Sequence, residues 1–410
     1  MKKKGEDQMK KLGFGMFILL ALVLALNLSF SPCVKSATAA EKEVKIGALM
    51  GLTGPGSDAM GRVADGIKGA ADWVNEKGGL NIKGEKYLIK LIGEDYQMSA
   101  DGTKAAATKL VFDHGVKFMV GLPIPPFKAA ASTVTEPNKV LRMDVTGQGG
   151  PDDISPKWPY TFVTSLDFEL QATGLDHFLK AYPGVKKVGL ICPEDPGIIF
   201  VMQNVKKLAA AHGLTVVAEE TYPFGTSDFY PTLTKIFTAK PDALVSGAAF
   251  PPWLGGILKQ GRELGFKGPM LVLSQGADPY VVLGIAGKDF TTDFMAISYA
   301  LKDPEMTPMI KEVGKIIKSK FGVDITYDQL SGFEAMWILT QAIEKAQSLD
   351  PTVVKNSLEK MTKIETPNGL GKMGGLKTFG INHALVRPFP VVRIMNGIVK
   401  HVSWFTPELP

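Results

Sequence analysis

Cysteine is almost missing: Cys33 and Cys192 are the two in 410 residues. A scaffold stapled by disulfides is therefore excluded, as are the paired Cys motifs of zinc sites. The five histidines, His114, His177, His212, His383 and His401, are far apart and none stands at helical metal-binding spacing. No metal or cofactor is expected. The Gly-x-Ser-x-Gly elbow of hydrolases does not occur. Past residue 40 no apolar run is long enough to span a bilayer, and no low-complexity tract interrupts the chain.

A large excess of one charge is also lacking, once the N-terminus is set aside. Lys2, Lys3, Lys4, Lys10 and Lys11 precede a mostly apolar run over 12–30, and the small residues Ser36-Ala37-Thr38-Ala39-Ala40 follow. Basic head, apolar middle and small-residue exit make residues 1–40 a secretory signal peptide. The alternative is an uncleaved anchor, since an apolar run of this length can just cross a bilayer. Ser31-Pro32 before Cys33 does not resemble a lipoprotein cleavage site. Residues 1–40 hold six Lys and two acids, +4, so the formal charge of +5 falls to +1 in the remainder. A nucleic-acid partner loses its main support with the leader. Cys192, alone at the end of Val188-Gly189-Leu190-Ile191, reads as a small buried apolar residue.

The remaining 370 or so residues suit two lobes better than one core. Strand-like runs alternate with helical periodicity. A strand over 44–49 is followed by a turn over 51–56 and a helix N-capped by Ser57. That helix carries Met60, Val63, Ile67, Ala70 and Val74 on one face. Gly78-Gly79 offers the left-handed stop. Strands over 87–93, 118–120 and 140–143 alternate with helices over 99–113 and 127–136. After Asp167 the alternation restarts: helices over 167–181, 198–212, 230–238 and 253–264, strands over 187–192, 215–219, 243–247 and 270–274. Such repetition predicts an α/β fold, parallel sheets flanked by helices, with ligand-binding loops along one edge of each sheet. From Pro304 the rhythm breaks into helices over 306–321, 328–347 and 352–361. Gly-rich segments and a hairpin over 391–402 turning at Gly397 then follow.

With these elements placed, the chain resembles the type I periplasmic binding proteins, in particular the branched-chain amino-acid receptors. The carriers are Val44-Lys45-Ile46-Gly47 entering Leu52-Thr53-Gly54-Pro55, Trp73-Val74-Asn75-Glu76-Lys77-Gly78-Gly79, Phe118-Met119-Val120-Gly121, and Asp228-Phe229 before Leu233. The resemblance implies two Rossmann-like lobes joined by three crossovers, near 163–165, 297–300 and 366–371. Lobe 1 is expected over 41–164 and 300–367, lobe 2 over 165–299 and 368–410. It further implies a monomeric, non-enzymatic, extracytoplasmic solute-binding component of an ABC importer, which closes on a small molecule and docks on membrane permease subunits. A receptor presenting its closed form to a sensor kinase or chemoreceptor is the alternative.

The binding loops depart from that family. Where Ser and Thr are usual, Leu122-Pro123-Ile124-Pro125-Pro126-Phe127 has lost three N–H donors to proline and carries no hydroxyl. The next loop is Thr146-Gly147-Gln148-Gly149-Gly150-Pro151, and the loop after Cys192 is Pro193-Glu194-Asp195-Pro196-Gly197. In lobe 2, Gln275 of Ser274-Gln275-Gly276-Ala277-Asp278 falls at or beside the position of the family's ammonium-binding Glu. Asp278 is an imperfect substitute. Phe250-Pro251-Pro252-Trp253 keeps the aromatic loop. The expected ligand-binding residues are Met60, Ile124, Pro125, Phe127, Thr146, Gln148, Pro196, Phe250, Trp253, Gln275 and Asp278. They describe a flat apolar cleft with a few amide and hydroxyl groups, suited to an amino-acid-like, aromatic or amphipathic carboxylate or amide. Each has a plainer reading: prolines that stiffen a loop, a helix-face Met in the core, aromatics that pack between elements. Gly54-x-Gly56 is not a dinucleotide fingerprint, since Gly61 comes two residues late. The acidic pairs Asp152-Asp153 and Glu194-Asp195 read as solvated turns.

Overall fold

A computed structural model describes residues 42–409, apart from 55, 122–124, 146, 148, 149, 151, 152, 224 and 248. The leader therefore lies outside the described residues. The elements run β1 (Lys42–Met50), α1 (Ser57–Glu76), β2 (Leu80–Ile82), β3 (Glu85–Asp95), α2 (Ala100–Phe112), β4 (Phe118–Gly121), α3 (Pro125–Thr135), β5 (Leu141–Asp144) and β6 (Thr161–Val163). Next come α4 (Asp167–Ala181), β7 (Lys187–Pro193), α5 (Pro196–Ala211), β8 (Thr215–Tyr222), α6 (Tyr230–Thr238), β9 (Ala243–Ser246), α7 (Pro251–Glu263), β10 (Met270–Val272), α8 (Pro279–Ala286) and β11 (Phe294–Ala296). The last are α9 (Pro308–Phe321), α10 (Tyr327–Ala346), α11 (Pro351–Leu358), β12 (Ile364–Thr366), β13 (Gly369–Gly374), α12 (Leu376–Phe379), β14 (Ala384–Val386), β15 (Phe389–Met395) and β16 (Ile398–Phe405).

Among the described residues these strands form two sheets, ordered β12-β13-β14-β6-β5-β4-β1-β3-β2 and β16-β15-β11-β10-β9-β7-β8. The centre of each is parallel, β6-β5-β4-β1-β3 in one and β11-β10-β9-β7-β8 in the other. Strands β4, β5, β9, β10 and β11 are buried along their whole length, as sheets covered on both faces require. The chain leaves the first sheet after β6, returns to it for β12–β14, and leaves again for β15.

That last departure differs from the expectation of a return to lobe 2 at residue 368. Residues 369–374 and 384–386 are strands of the nine-stranded sheet, and the change of sheet occurs at 387–388. Gly369-Leu370-Gly371-Lys372-Met373-Gly374 shows little apolar alternation. Its pairing is decided by β12 and β14 on either side. Ser57 is a smaller correction. The helix is capped by Gly56 at φ 86°, and Ser57 is already its first residue. The Ser57 amide closes a turn onto the Gly54 carbonyl at 3.2 Å, which forces the left-handed step at Gly56. At the other end Gly78 (φ 95°) and Gly79 (φ 71°) stop the helix as expected.

The first lobe is organised around α1 and α10. Val63, Ile67, Ala70 and Val74 of α1 are buried, and α10 is buried almost throughout from Gln329 to Ile343. Their backbones nearly touch: a Cβ on Gly66 would lie 2.0 Å from the Gln329 carbonyl oxygen, and one on Gly332 would lie 2.1 Å from that of Val63. Below this contact Trp73 packs against Phe333 and Trp337, each with ring centroids 5.5 Å apart. Because Val63 meets Gly332 while Trp73 meets Trp337, the two helices run parallel. Both N-termini therefore point the same way, beyond the C-terminal end of β1.

Farther along, α11 is tied to the strands beside the last change of sheet. The fully buried His383 ring stacks on Phe162 (3.8 Å between centroids), and its Nδ1 faces the Thr161 carbonyl at 2.8 Å. Its Nε2 meets Glu359 Oε1 at 2.7 Å, and Lys355 Nζ meets the same oxygen at 2.9 Å.

Two outcomes are expected from this packing. In Gly66→Ala, the helix-propensity gain of ~0.5–1 kcal/mol is outweighed by overpacking of ~1–3 kcal/mol, because the clashing atom is backbone. Urea unfolding should show a lowered midpoint; an unchanged or raised midpoint contradicts close contact. Hydrogen bonding to His383 holds the Glu359 carboxyl down from 4.5 to about 2. A depressed carboxylate stabilises the fold above its unfolded value and loses that contribution as pH falls between those limits. The E359Q variant should thus show a flatter acid-stability profile over pH 4.5 to 2, and an identical profile refutes the coupling.

Candidate functional site

Loops leaving the C-terminal ends of parallel strands carry the side chains of interest, because right-handed crossovers place all such loops on one edge. In the first sheet they follow β1, β3, β4, β5 and β6; in the second they follow β7, β9, β10 and β11. At the three passages between sheets the two edges meet. Gln275, after β10, donates through Nε2 to Ser165 Oγ, after β6. Its Oε1 accepts from Arg387 Nη2 at 3.3 Å, immediately beyond β14.

The first lobe's loop after β1 is pinned by Asp95. The carboxylate accepts from the Leu52 amide (3.0 Å), Thr53 Oγ1 (2.6 Å) and the Gln97 amide (2.9 Å). Burial works against its charge, yet bonds from Thr53 and these amides hold the carboxyl below its ordinary value. Met60, one turn into α1, is part-buried and packs against two core clusters. Phe127, on α3, is 9% exposed and packs on Tyr96 with centroids 5.4 Å apart. The backbone of Pro125 begins α3. Ile124, Thr146 and Gln148 lie outside the described residues, and the side chains of Pro125 and Pro196 are likewise not described.

Beyond β4 and β5 lies a buried charge cluster with no local motif to mark it, and it corrects the reading of Asp153 as part of a solvated turn. Lys128 Nζ meets Asp153 Oδ1 at 2.7 Å, and Arg142 Nε meets Asp144 Oδ1 at 2.9 Å, all four side chains at 0% exposure. Arg142 also donates to Thr135 Oγ1, Ser132 Oγ and the Lys128 carbonyl, at 3.1–3.2 Å. Burial pushes the Asp144 carboxyl up, while Arg142 and Lys128 pull it down. Two cations against two anions leave no net charge to desolvate, and the cluster ties the start of α3 to β5 and Asp153.

In the second lobe Phe250 ends the loop after β9 and is 47% exposed. Its ring meets Trp253 edge-on at 5.0 Å, and Trp253 meets Tyr222 edge-on at 5.7 Å, the T-shaped contacts that aromatic quadrupoles favour. This joins the two expected aromatics in one part-exposed cluster. Asp278 caps α8 through one carboxylate oxygen, accepting from the amides of Tyr280 (2.8 Å) and Val281 (3.3 Å). Gln275 is 1% exposed and engaged at the passages. Cys192 is buried, and desolvation raises its thiol to about 12, as an inert residue requires.

Other residues emerge from tertiary contact alone. Arg62 of α1 holds Asp328 of α10 through Nε (2.9 Å) and Nη2 (2.8 Å). Burial first, then the charge of Asp278 from the opposite lobe, push the Asp328 carboxyl up against the pull of Arg62. Tyr327 beside it stacks on Tyr299 of the second passage at 5.7 Å. The pairing of α1 with α10 brings these positions together across more than 260 residues of chain, and no local motif marks them.

Two sheets joined by three passages, with binding loops on the edges that meet there, define a two-lobed ligand-binding fold of the periplasmic type. The family model described as "Periplasmic binding protein" matches residues 43–397, and the chain belongs to that family. It is 26% identical over 351 residues to the Leu/Ile/Val-binding protein homolog 3 of Brucella melitensis, covering 85% of this chain and 92% of that one. Among solved structures it is similar to the branched-chain amino acid transporter substrate binding protein of Streptococcus pneumoniae, in complex with isoleucine. That match has a TM-score of 0.73 at 19% identity, over 89% of this chain and 100% of that one. A solute binding protein of an ABC transporter from Rhodopseudomonas palustris, in complex with 3,4-dihydroxy benzoic acid, matches with a TM-score of 0.73 at 21% identity, over 90% and 99%. The chain is a binding protein, not an enzyme.

Removing one member of the buried quartet should be costly. Asp153→Ala removes the carboxylate 2.7 Å from the buried Lys128 ammonium and leaves the quartet with an excess positive charge, a loss of roughly 3–5 kcal/mol. Chemical denaturation measures it; a loss under 1 kcal/mol would mean that the lysine reaches solvent or another anion.

Proposed function

We propose that this protein is the extracytoplasmic solute-capturing component of an ABC importer. Its two lobes close on a small organic molecule with a flat apolar body and a single carboxylate or amide head, and the closed form docks on permease subunits. The observation that carries the ligand class is the use of Gln275 and Asp278. The neutral Gln275 is buried and bonded to Ser165 and Arg387, and Asp278 spends a carboxylate oxygen on capping α8. A ligand ammonium thus finds no dedicated anion at the two positions where the resemblance would put one. Phe250 and Trp253 offer instead a part-exposed aromatic face.

The relatives' names support both possibilities: leucine, isoleucine and valine for the Brucella protein, and a hydroxylated benzoate for the Rhodopseudomonas one. A neutral Gln275 in place of an acid, and an Asp278 already committed to capping α8, favour the second chemistry. Export by the leader, a periplasmic location and a monomeric state belong to the same proposal. Nothing in the site favours a sensor kinase or chemoreceptor as destination.

Calorimetry with benzoate, hydroxybenzoates, leucine, isoleucine and valine tests the ligand class. Micromolar affinity, about −8 kcal/mol, is expected for an aromatic acid and not for the aliphatic amino acids. Phe250→Ala should weaken that binding about tenfold, ~1.4 kcal/mol. Micromolar leucine binding would overturn the aromatic assignment.

A further inference from the structure

We infer that Gln275 is a positioning residue of the hinge: its buried side-chain amide ties the first passage to the third, its main-chain carbonyl holds the second, and together they set how far apart the lobes rest. The inference relies on the proposed movement of the lobes but not on any ligand assignment.

Each passage supplies one bond to this residue. Ser165 lies on the first and receives the amide N–H. Ser298, on the second, donates through Oγ to the Gln275 main-chain carbonyl at 3.1 Å. Arg387, on the third, donates to the amide oxygen at 3.3 Å. Ser165, Gln275, Ser298 and Arg387 are all within 1% of full burial, so water does not compete for these groups and each bond is stronger than at a surface.

Glutamine suits the position because its head carries both a donor and an acceptor. A carboxylate would accept from both Ser165 and Arg387, but it would bury a second negative charge beside Glu334, whose Oε1 already lies 2.7 Å from Arg387 Nε. Hydrophobic residues would leave Ser165 and Arg387 facing a buried gap.

A wider buried network surrounds these bonds. Arg387 Nε lies 2.7 Å from Glu334 Oε1 of α10. Asn368 Nδ2 donates to Tyr299 Oη (2.7 Å) and to the Pro388 carbonyl (2.8 Å), linking the second and third passages. Rotation of the lobes moves the three passages past one another, and every bond to Gln275 must change with it. A residue that biases two arrangements shifts the apparent affinity without touching the ligand.

The test is a distance measurement between lobes in the ligand-free full chain. Spin labels are placed on exposed sites through D113C in the first lobe and K259C in the second, in a C33S background with the buried Cys192 left unlabelled. Pulsed electron resonance then compares this background with Q275A, S165A and Q275A/S165A. The expected result is a shifted or broadened interlobe distance distribution in Q275A, a smaller change in S165A, and no further change in the double variant. Distributions in Q275A that match the background, or effects that simply add in the double variant, overturn the clamp. Should Q275A not fold, S165A and Q275E decide alone, and two unchanged distributions overturn it. Because no ligand is present, a failure of the aromatic-acid proposal in calorimetry leaves this measurement intact.

Discussion

The chain crosses between its sheets before either is complete, and this continuity constrains everything else. Two passages are short, β6 giving way to α4 across 164–166 and β14 to β15 across 387–388, and the remaining one runs from β11 to α9 over 297–307. Such links hold two independently packed cores at a fixed edge while leaving the rest of each edge unpaired. A molecule with one such link would flop, and one with a broad shared core would not open. Three links side by side permit one rotation, and the loops that this rotation brings together are the ones that parallel strands place on that edge.

Buried polar chemistry is concentrated where this geometry demands it. Away from the passages the cores are apolar, built on the α1–α10 contact in the first lobe and on strands β7, β9, β10 and β11 in the second. At the passages Gln275, Arg387, Glu334, Tyr299 and Asn368 are buried together. Beyond β4 and β5, Lys128, Arg142, Asp144 and Asp153 form a second island. Apolar contacts slide with little directional preference, whereas hydrogen bonds and ion pairs fix geometry. The islands accordingly sit where register matters: at the pivot, and where the start of α3 meets β5.

Much of the alternation of strands and helices was legible along the chain. The stop of α1 at Gly78-Gly79, the helices expected over 230–238 and 306–321 (the latter found from Pro308), and the terminal hairpin follow from glycine stereochemistry and apolar period. The hairpin-forming segment 364–374 was not, since its few apolar residues show no alternation and its neighbours in the sheet come from 161–163 and 384–386. Phe250 and Trp253 could be paired from their spacing of three, and the structure brings their rings together. Gln275 was singled out for its likeness to a family position, while its partners Ser165 and Arg387, over 100 residues away in each direction, left no local trace.

By itself the sequence determined the class: a chain of alternating strands and helices, weakly charged beyond residue 40, whose order of motifs resembles the periplasmic binding proteins. Periodicity, glycine placement and composition are local properties, and a one-dimensional reading captures them. The tertiary structure alone decided which residues meet across the lobes. Arg62 with Asp328, and Arg387 with Glu334 and Gln275, depend on how helices and passages pack in space. Such contacts join residues chosen for each other, not for their neighbours in the chain, so the physical chemistry of a segment carries no sign of its distant partner.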